Sequence, residues 1–342
     1  MPDDYLRLSK EDRGEALSFA ASHSGRPAHL LEKDIWVVRT LGILFDAPVG
    51  DHLAFKGGTS LSKVYGAIRR FSEDIDLTYD IRRLVPELVG EDGDALPESR
   101  GEERRWSKAV RKRLPEWVAG EMLPLVDAAL AGDKLPAKAK ADGDKIFIEY
   151  EPVASPSSYV LPRVMLEFGA RSTGEPSDRH DVVCDAAEVV DSLIFPTAKP
   201  RVMRAERTFW EKATAAHVFC SEGPLRGERF SRHWHDLARL DEAGIAKAAA
   251  ADRALARAVA EHKSWFFAEQ DAERNAIDYR VAIAGGLRLV PEGAHRETLA
   301  EDYRHMVEDG LLIDEAEPFD TLMERVRGLE ERTNAAAGAD SA

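Results

Sequence analysis

Residues 55–76, FKGGTSLSKVYGAIRRFSEDID, put two kinds of chemical group into one short stretch. Gly57 and Gly58 permit a sharp turn at which the backbone can approach a ligand closely. Thr59 and Ser60 supply hydroxyls and a cap for a following helix, whose free N–H groups favour an anion. Lys56 lies just before the turn and Lys63 about one helical turn beyond it. A strand read over residues 72–79 then carries Asp74 and Asp76. Strand side chains alternate, so these two carboxylates share one face and Ile75 and Leu77 share the other. Neighbouring carboxylates repel unless water or a cation neutralises them, and hard oxygen ligands suit Mg²⁺ or Mn²⁺. Taken singly, Gly-Gly-Thr-Ser is most often a turn and a cap, and Asp-x-Asp is common on edge strands. Joined by one helix, they form a specific combination.

The chemistry that combination suits is nucleotidyl transfer, in which an NMP group passes from an NTP to an acceptor hydroxyl and pyrophosphate leaves. Charge crowding on the triphosphate is the obstacle, and catalysis is mostly positioning and charge stabilisation. Gly57, Gly58, Thr59, Ser60 and Lys63 are read as the nucleotide cradle, with Asp74 and Asp76 as catalytic metal ligands. Glu167 lies on a strand read over residues 160–168, on the face of Arg163 and Met165. It is either a third metal-binding carboxylate or an exposed, salt-bridged strand residue. Far along the chain, Lys212 could neutralise the triphosphate. Asp236 could orient Lys212, accept from the nucleotide or the acceptor, or act as a base. The plain alternative for both is a helix-surface charge. His233 and His235 are two apart in a helical stretch, so they face different directions and make a poor zinc pair.

The elements that must position these groups follow from periodicity. Residues 10–22 and 29–45 read as helices; in the second, Leu31, Ile35, Val38 and Leu41 recur at helical spacing. Lys33 and Asp34, in LLEKDIW, belong either to a solvated face beside Trp36 or to the edge of the site. Residues 53–55, 72–79, 145–150 and 160–168 read as strands, and 180–184 as a further candidate. Residues 86–100 and 132–143 read as loop and connection, and Gly223 and Gly227 mark another loop. Residues 101–131 read as a helical region broken at Pro115 and Pro124. It opens with RGEERRWSKAVRKRLPEW, the densest basic stretch, with Trp106 among the charges. This is either an exposed charged helix or a contact for RNA phosphates. The fold class expected is α+β: a core with a mixed sheet over residues 1–200, a helical domain over 201–333 and a disordered tail over 334–342.

The chain has 342 residues and a formal charge of −15, which argues against non-specific coating of nucleic acid but leaves room for a local basic site. Cys184 and Cys220 are the two cysteines, so no disulfide framework is expected and a reducing compartment is. The N-terminus is too polar for a signal peptide, and no apolar run approaches the ~18 residues of a span. A cytoplasmic protein without membrane contact is expected.

FKGGTSLSKVY followed by RRFSEDIDL resembles the AbiEii family of nucleotidyltransferase toxins, which includes the MenT-type toxins. LLEKDIW, RTFWEKATAAH and RHWHDLARL are similar to that family in the same order, and the resemblance runs over roughly residues 30–240. It implies a polymerase-β-like nucleotidyltransferase core followed by a helical C-terminal domain. It implies the toxin half of a toxin–antitoxin pair, acting in growth arrest or abortive phage defence, with a cognate antitoxin encoded nearby. Carried over by motif, the site would be Thr59 and Ser60, Asp74 and Asp76, Lys212 and Asp236. MenT-type members resemble tRNA-modifying enzymes, so the implied acceptor is RNA, the tRNA 3′ end. The alternatives are a non-catalytic NTP-binding growth-arrest protein and transfer to a protein or a small molecule. The intact Asp74/Asp76 pair favours an enzyme, and the basic stretch favours RNA.

Overall fold

A computed structural model describes residues 3–70, 72, 74–155, 161–221, 230–271, 273–308, 312 and 316–339. The loop expected around Gly223 and Gly227 lies outside the described residues. The chain divides into two compact units. The first comprises residues 1–64, 73–95 and 106–203, the second residues 65–72, 96–105 and 204–342.

The first unit is built on a seven-stranded mixed sheet. In chain order its strands are β1 (Leu53–Lys56), β2 (Asp74–Tyr79), β3 (Ala137–Asp142), β4 (Lys145–Tyr150), β5 (Arg163–Gly169), β6 (Ser177–Arg179) and β7 (Arg201–Met203). Across the sheet the order is β3-β4-β5-β2-β1-β7-β6. β2 runs antiparallel to β1 and parallel to β5. The α+β expectation therefore holds, with a mixed sheet at its centre.

One face of the sheet is the core. Ile75, Leu77, Ile146, Ile148, Val164 and Leu166 are all fully buried there. Two helices lead into it, α1 (Lys10–Ser24) and α2 (Ala28–Phe45). Trp36 of α2 stacks on Tyr150 at 4.9 Å, and Trp117 stacks on Tyr79 at 4.0 Å. Each such buried aromatic stabilises the fold by roughly 1.5–3 kcal/mol through desolvation. The opposite face carries Asp74, Asp76 and Glu167.

Three local expectations are corrected here. The chain does not break at Pro115: α4 covers Arg100–Trp117, and a π-helical turn, Val118–Met122, joins it to α5 (Leu123–Gly132). Pro115 removes one helical hydrogen bond, but burial of Trp117, Val118 and Met122 holds the turn in place. Pro124 sits in the first turn of α5, where its missing N–H costs little. Residues 137–142, read as a connection, form β3, paired with β4 through a two-residue turn at Gly143-Asp144. Gly143 takes φ +61°, as that turn type requires. Residues 86–89, read as loop, form a short helical turn, Pro86–Val89.

The second unit is helical: α6 (Ala205–Cys220), α7 (Arg232–Glu242), α8 (Ile245–Ala251), α9 (Arg253–Phe266), α10 (Gly293–Glu308) and α11 (Phe319–Ala339). Trp210, Trp234 and Tyr279 are its largest fully buried side chains. Trp210 Nε1 donates to Ala249 O at 3.0 Å. Residues 334–339, expected to begin a disordered tail, continue α11 to Ala339. Alanine is the best helix former, Ala337 is buried, and the Asn334 amide accepts from Leu287 N at 2.8 Å and donates to Leu287 O at 2.9 Å.

Candidate active site

The geometry starts at the end of β1. Gly57 has φ +78°, a region that disfavours side chains, and a Cβ there would lie 2.0 Å from Asp76 Oδ2. The backbone at Gly57 and the Asp76 carboxylate are therefore in direct contact. A short helix, α3 (Gly57–Lys63), begins at once. Thr59 and Ser60 lie inside its first turn and do not cap it; Lys56 occupies the cap position without a side-chain bond. Both hydroxyls are buried and turned inward. Thr59 Oγ1 donates to Asp74 O at 2.6 Å, and Ser60 Oγ donates to Gly57 O at 2.9 Å. Thr59 thus ties the turn to the start of the carboxylate strand, a role for which its sequence position offered no cue.

Ladder pairing fixes what surrounds the two aspartates. Asp76 lies opposite Lys56 on β1 and opposite Glu167 on β5. Asp74 lies opposite Met165. The expected third carboxylate is thus next to Asp76 in register, but it binds Lys145 Nζ at 2.9 Å. The hydrogen bond to Glu167 holds the Lys145 ammonium above its ordinary pKa, and Asp74 adds to the shift. Among the described residues, no three His, Cys, Asp or Glu side chains are gathered closely enough to enclose an ion. Two carboxylates on one strand still fit a small hard cation that takes its remaining ligands from water and substrate phosphates.

The two lysines flanking the turn differ. Lys63 is engaged by Asp34 Oδ1 at 2.7 Å and Asp185 Oδ1 at 2.6 Å. Asp34 Oδ2 also accepts from Asp185 N at 2.7 Å. Lys63 therefore anchors α3 to α2 instead of presenting its charge at the turn, against the expectation that it holds the nucleotide. Lys33 and Asp34 are buried, which overturns the solvated-face reading. The neighbouring Glu32 accepts from Val153 N and Ala154 N at 2.8 and 3.0 Å. Lys56, by contrast, is part-exposed on the face of Asp76, with no carboxylate partner among the described residues.

The second unit contains a buried ionic cluster. Arg70 Nε and Nη2 donate to the two Asp236 oxygens at 2.7 and 2.8 Å, and Lys212 Nζ lies 2.9 Å from Asp236 Oδ2. Exposures of 4%, 0% and 8% for Arg70, Asp236 and Lys212 remove the helix-surface reading of Lys212 and Asp236. Burial by itself would raise the Asp236 carboxyl, but Arg70 and Lys212 outweigh it and hold the group well below the usual carboxylate range. A carboxylate so tightly held is a poor base. Arg70 escaped the sequence reading; the signal was the RRF tripeptide just before the aspartate strand. On the same helix, burial lowers the pKa of His235 to about 4 and that of His233 well below its usual value.

A glycine turn thus packs against one of two strand carboxylates, on the face of the mixed sheet opposite its core. A family model described as nucleotidyl transferase AbiEii toxin, type IV TA system, matches residues 39–325, and the chain belongs to that family. The match extends well past residue 240, into α11. The implied partner of such a toxin is its antitoxin. No curated protein matches the chain. Among solved structures, MenT4, a nucleotidyltransferase toxin from Mycobacterium tuberculosis H37Rv, is similar at 17% identity over 96% of this chain and 99% of its own, with a TM-score of 0.43. No helix among the described residues is long and apolar enough to cross a membrane.

Proposed function

We propose that the chain transfers an NMP group from an NTP to the 3′ hydroxyl of an RNA, the tRNA acceptor end, and thereby blocks translation and growth. The observation that carries this reading is the contact between the Gly57 turn and the Asp76 carboxylate. It brings a close-approach backbone and a metal-binding carboxylate to one point. Asp74 and Asp76 hold the divalent ion, Mg²⁺ or Mn²⁺. When bound, that ion supplies charge neutralisation on the triphosphate and acidifies an attacking hydroxyl. Gly57 and Gly58 let the backbone approach the phosphates beside the Asp76 carboxylate, and Lys56, facing the same side as Asp76, offers them a positive charge. Glu167 is kept by Lys145 as a neighbour that can join the ligand set when substrate binds. Lys212 and Asp236 are held to each other and to Arg70 within the second unit, so their contribution is read from that unit's stability. The deciding experiment incubates the protein with labelled NTPs, total RNA and total protein. Label on the 3′ end of RNA is expected; label on protein or a small molecule alone would overturn the acceptor, and no label with intact NTP binding would favour a non-catalytic binder.

A substitution at the turn separates the nucleotide from the rest. Gly57→Ala is expected to abolish NTP binding and to destabilise the first unit by at least about 1 kcal/mol, because the new methyl meets Asp76 Oδ2 and the φ is unfavourable. Lys56→Ala is expected to weaken NTP binding with no change in melting temperature. Calorimetric titration with a non-hydrolysable NTP reads both, and unchanged affinity in both variants would remove the turn from the nucleotide site.

The exposed side chains Arg104, Arg105, Arg111 and Lys112 of α4 are the candidate contact for the body of the RNA. Trp106 is not part of that surface, since it is 4% exposed and faces the core. Reversing the four charges is expected to weaken RNA binding and flatten its dependence on salt while NTP affinity is retained. Filter binding across a salt series checks this; an unchanged slope would exclude α4.

A further inference from the structure

We infer that the open face of β5, β4 and β3 is the platform on which the single-stranded 3′ end of the RNA lies. The inference rests on the acceptor reading above and adds a place and a register to it.

The observation is a row of side chains running across the sheet from the catalytic pair. Strand register puts Asp74 opposite Met165, Met165 opposite Phe147, and Phe147 opposite Lys140. Directly opposed residues point to the same face, so carboxylate, thioether, aromatic ring and ammonium follow one another over β2, β5, β4 and β3. At a strand spacing of ~4.8 Å the row is about 14 Å long, enough for a short run of nucleotides whose terminal hydroxyl is at Asp74. This is not the core face: the alternate residues Ile146, Ile148, Val164 and Leu166 fill the core, whereas Met165 and Phe147 are part-exposed and Lys140 is exposed.

The chemistry of the row matches a single strand better than a protein or a small molecule. A solvent-facing aromatic on a sheet is a stacking surface for a base, and it tolerates any sequence because every base has a π-face. The Arg163 guanidinium lies 4.9 Å from the Phe147 ring centroid, which extends the platform with a second planar, cationic surface. Charge falls in the right place for a phosphate backbone. Lys138 and Lys140 are exposed and have no carboxylate partner among the described residues. In the row beside Phe147, Glu149 stands between Lys138 and Arg163, so that row is net positive. On the other side Lys145 stands between Glu167 and Asp142, so that row is net negative and the cations gather on the Lys140 and Lys138 side of the platform. In a chain of net charge −15 the Lys140 row and the Lys138–Glu149–Arg163 row together form a local cationic strip beside Phe147. An edge strand reading AKAKAD is also what keeps β3 from pairing with another sheet; that role explains the lysines but not the Phe147–Met165–Arg163 surface next to them.

Fluorescence anisotropy with a short single-stranded RNA bearing a free 3′ hydroxyl tests this, alongside steady-state transfer kinetics on the same RNA. Phe147→Ala is expected to weaken RNA binding about ten-fold and to raise KM for RNA by a similar factor, with KM for NTP unchanged. Phe147→Trp is expected to keep binding, since it preserves the stacking face. Lys140→Glu is expected to weaken binding and lower the salt slope by about one. Phe147 is only part-buried, so circular dichroism and melting should match the parent. If the parent protein labels RNA and Phe147→Ala and Lys140→Glu bind it within two-fold of the parent, the platform is overturned and the acceptor reading stands. If the parent labels no RNA, both fall together.

Discussion

Asp76→Asn is expected to lower nucleotidyl transfer on the order of 10³-fold or more, the scale on which losing one electrostatic partner of a transferring phosphoryl group falls. Asparagine keeps the shape that fills the space beside Gly57, so the turn should survive. What it loses is one of two charges that bind the metal. Asp74→Asn should behave similarly, and the double variant should show no transfer above background. Melting temperature should change little, because the pair sits on the solvent face of β2 while Ile75 and Leu77 carry its packing. Toxicity on expression should disappear in step with transfer. A double variant that melts like the parent and still labels RNA would remove these aspartates from the mechanism.

The parts of this site that were legible in the sequence are those whose partners are near in sequence. The glycine turn, the helix and the aspartate strand lie within residues 55–79, and strand alternation alone placed Asp74 and Asp76 on one face. The strand of Glu167 was also readable, because Val164, Leu166 and Phe168 alternate with Arg163, Met165 and Glu167. Its neighbour Lys145 was not, since only cross-strand register brings the two together. The same limit explains Lys63. One helical turn from a glycine loop it looks like a phosphate ligand, and nothing local reveals that Asp34 and Asp185 neutralise it. α2 was ambiguous for a related reason: Lys33 and Asp34 could be read as solvated because they are charged, whereas long-range partners allow both to be buried. β3 was missed because alanine and lysine are poor strand formers; the Asp142-Gly143-Asp144 turn was the available cue, and cross-strand pairing with Lys145–Tyr150 overrides the composition.

The largest effect on stability is expected at Asp236. The plain alternative for Lys212 was a helix-surface charge, and its burial against Asp236 reverses that. Asp236→Ala leaves the Arg70 guanidinium and the Lys212 ammonium buried without their counter-ion, and such a loss costs about 3–5 kcal/mol. Lys212→Met should cost less, because Arg70 still satisfies both carboxylate oxygens. The pH dependence has a definite sign. The carboxyl of Asp236 is depressed in the folded state, so the unfolded chain binds the proton more readily. Its contribution is complete above the unfolded carboxyl pKa of about 3.9 and is lost as pH falls from there toward the folded value. Denaturant titrations of parent and Asp236→Asn at pH 7 and below pH 4 should converge at the acid end, with the parent losing more stability than the variant. Equal stabilities at pH 7, or parallel losses into acid, would show that the Arg70–Asp236–Lys212 cluster does not hold the helical unit together.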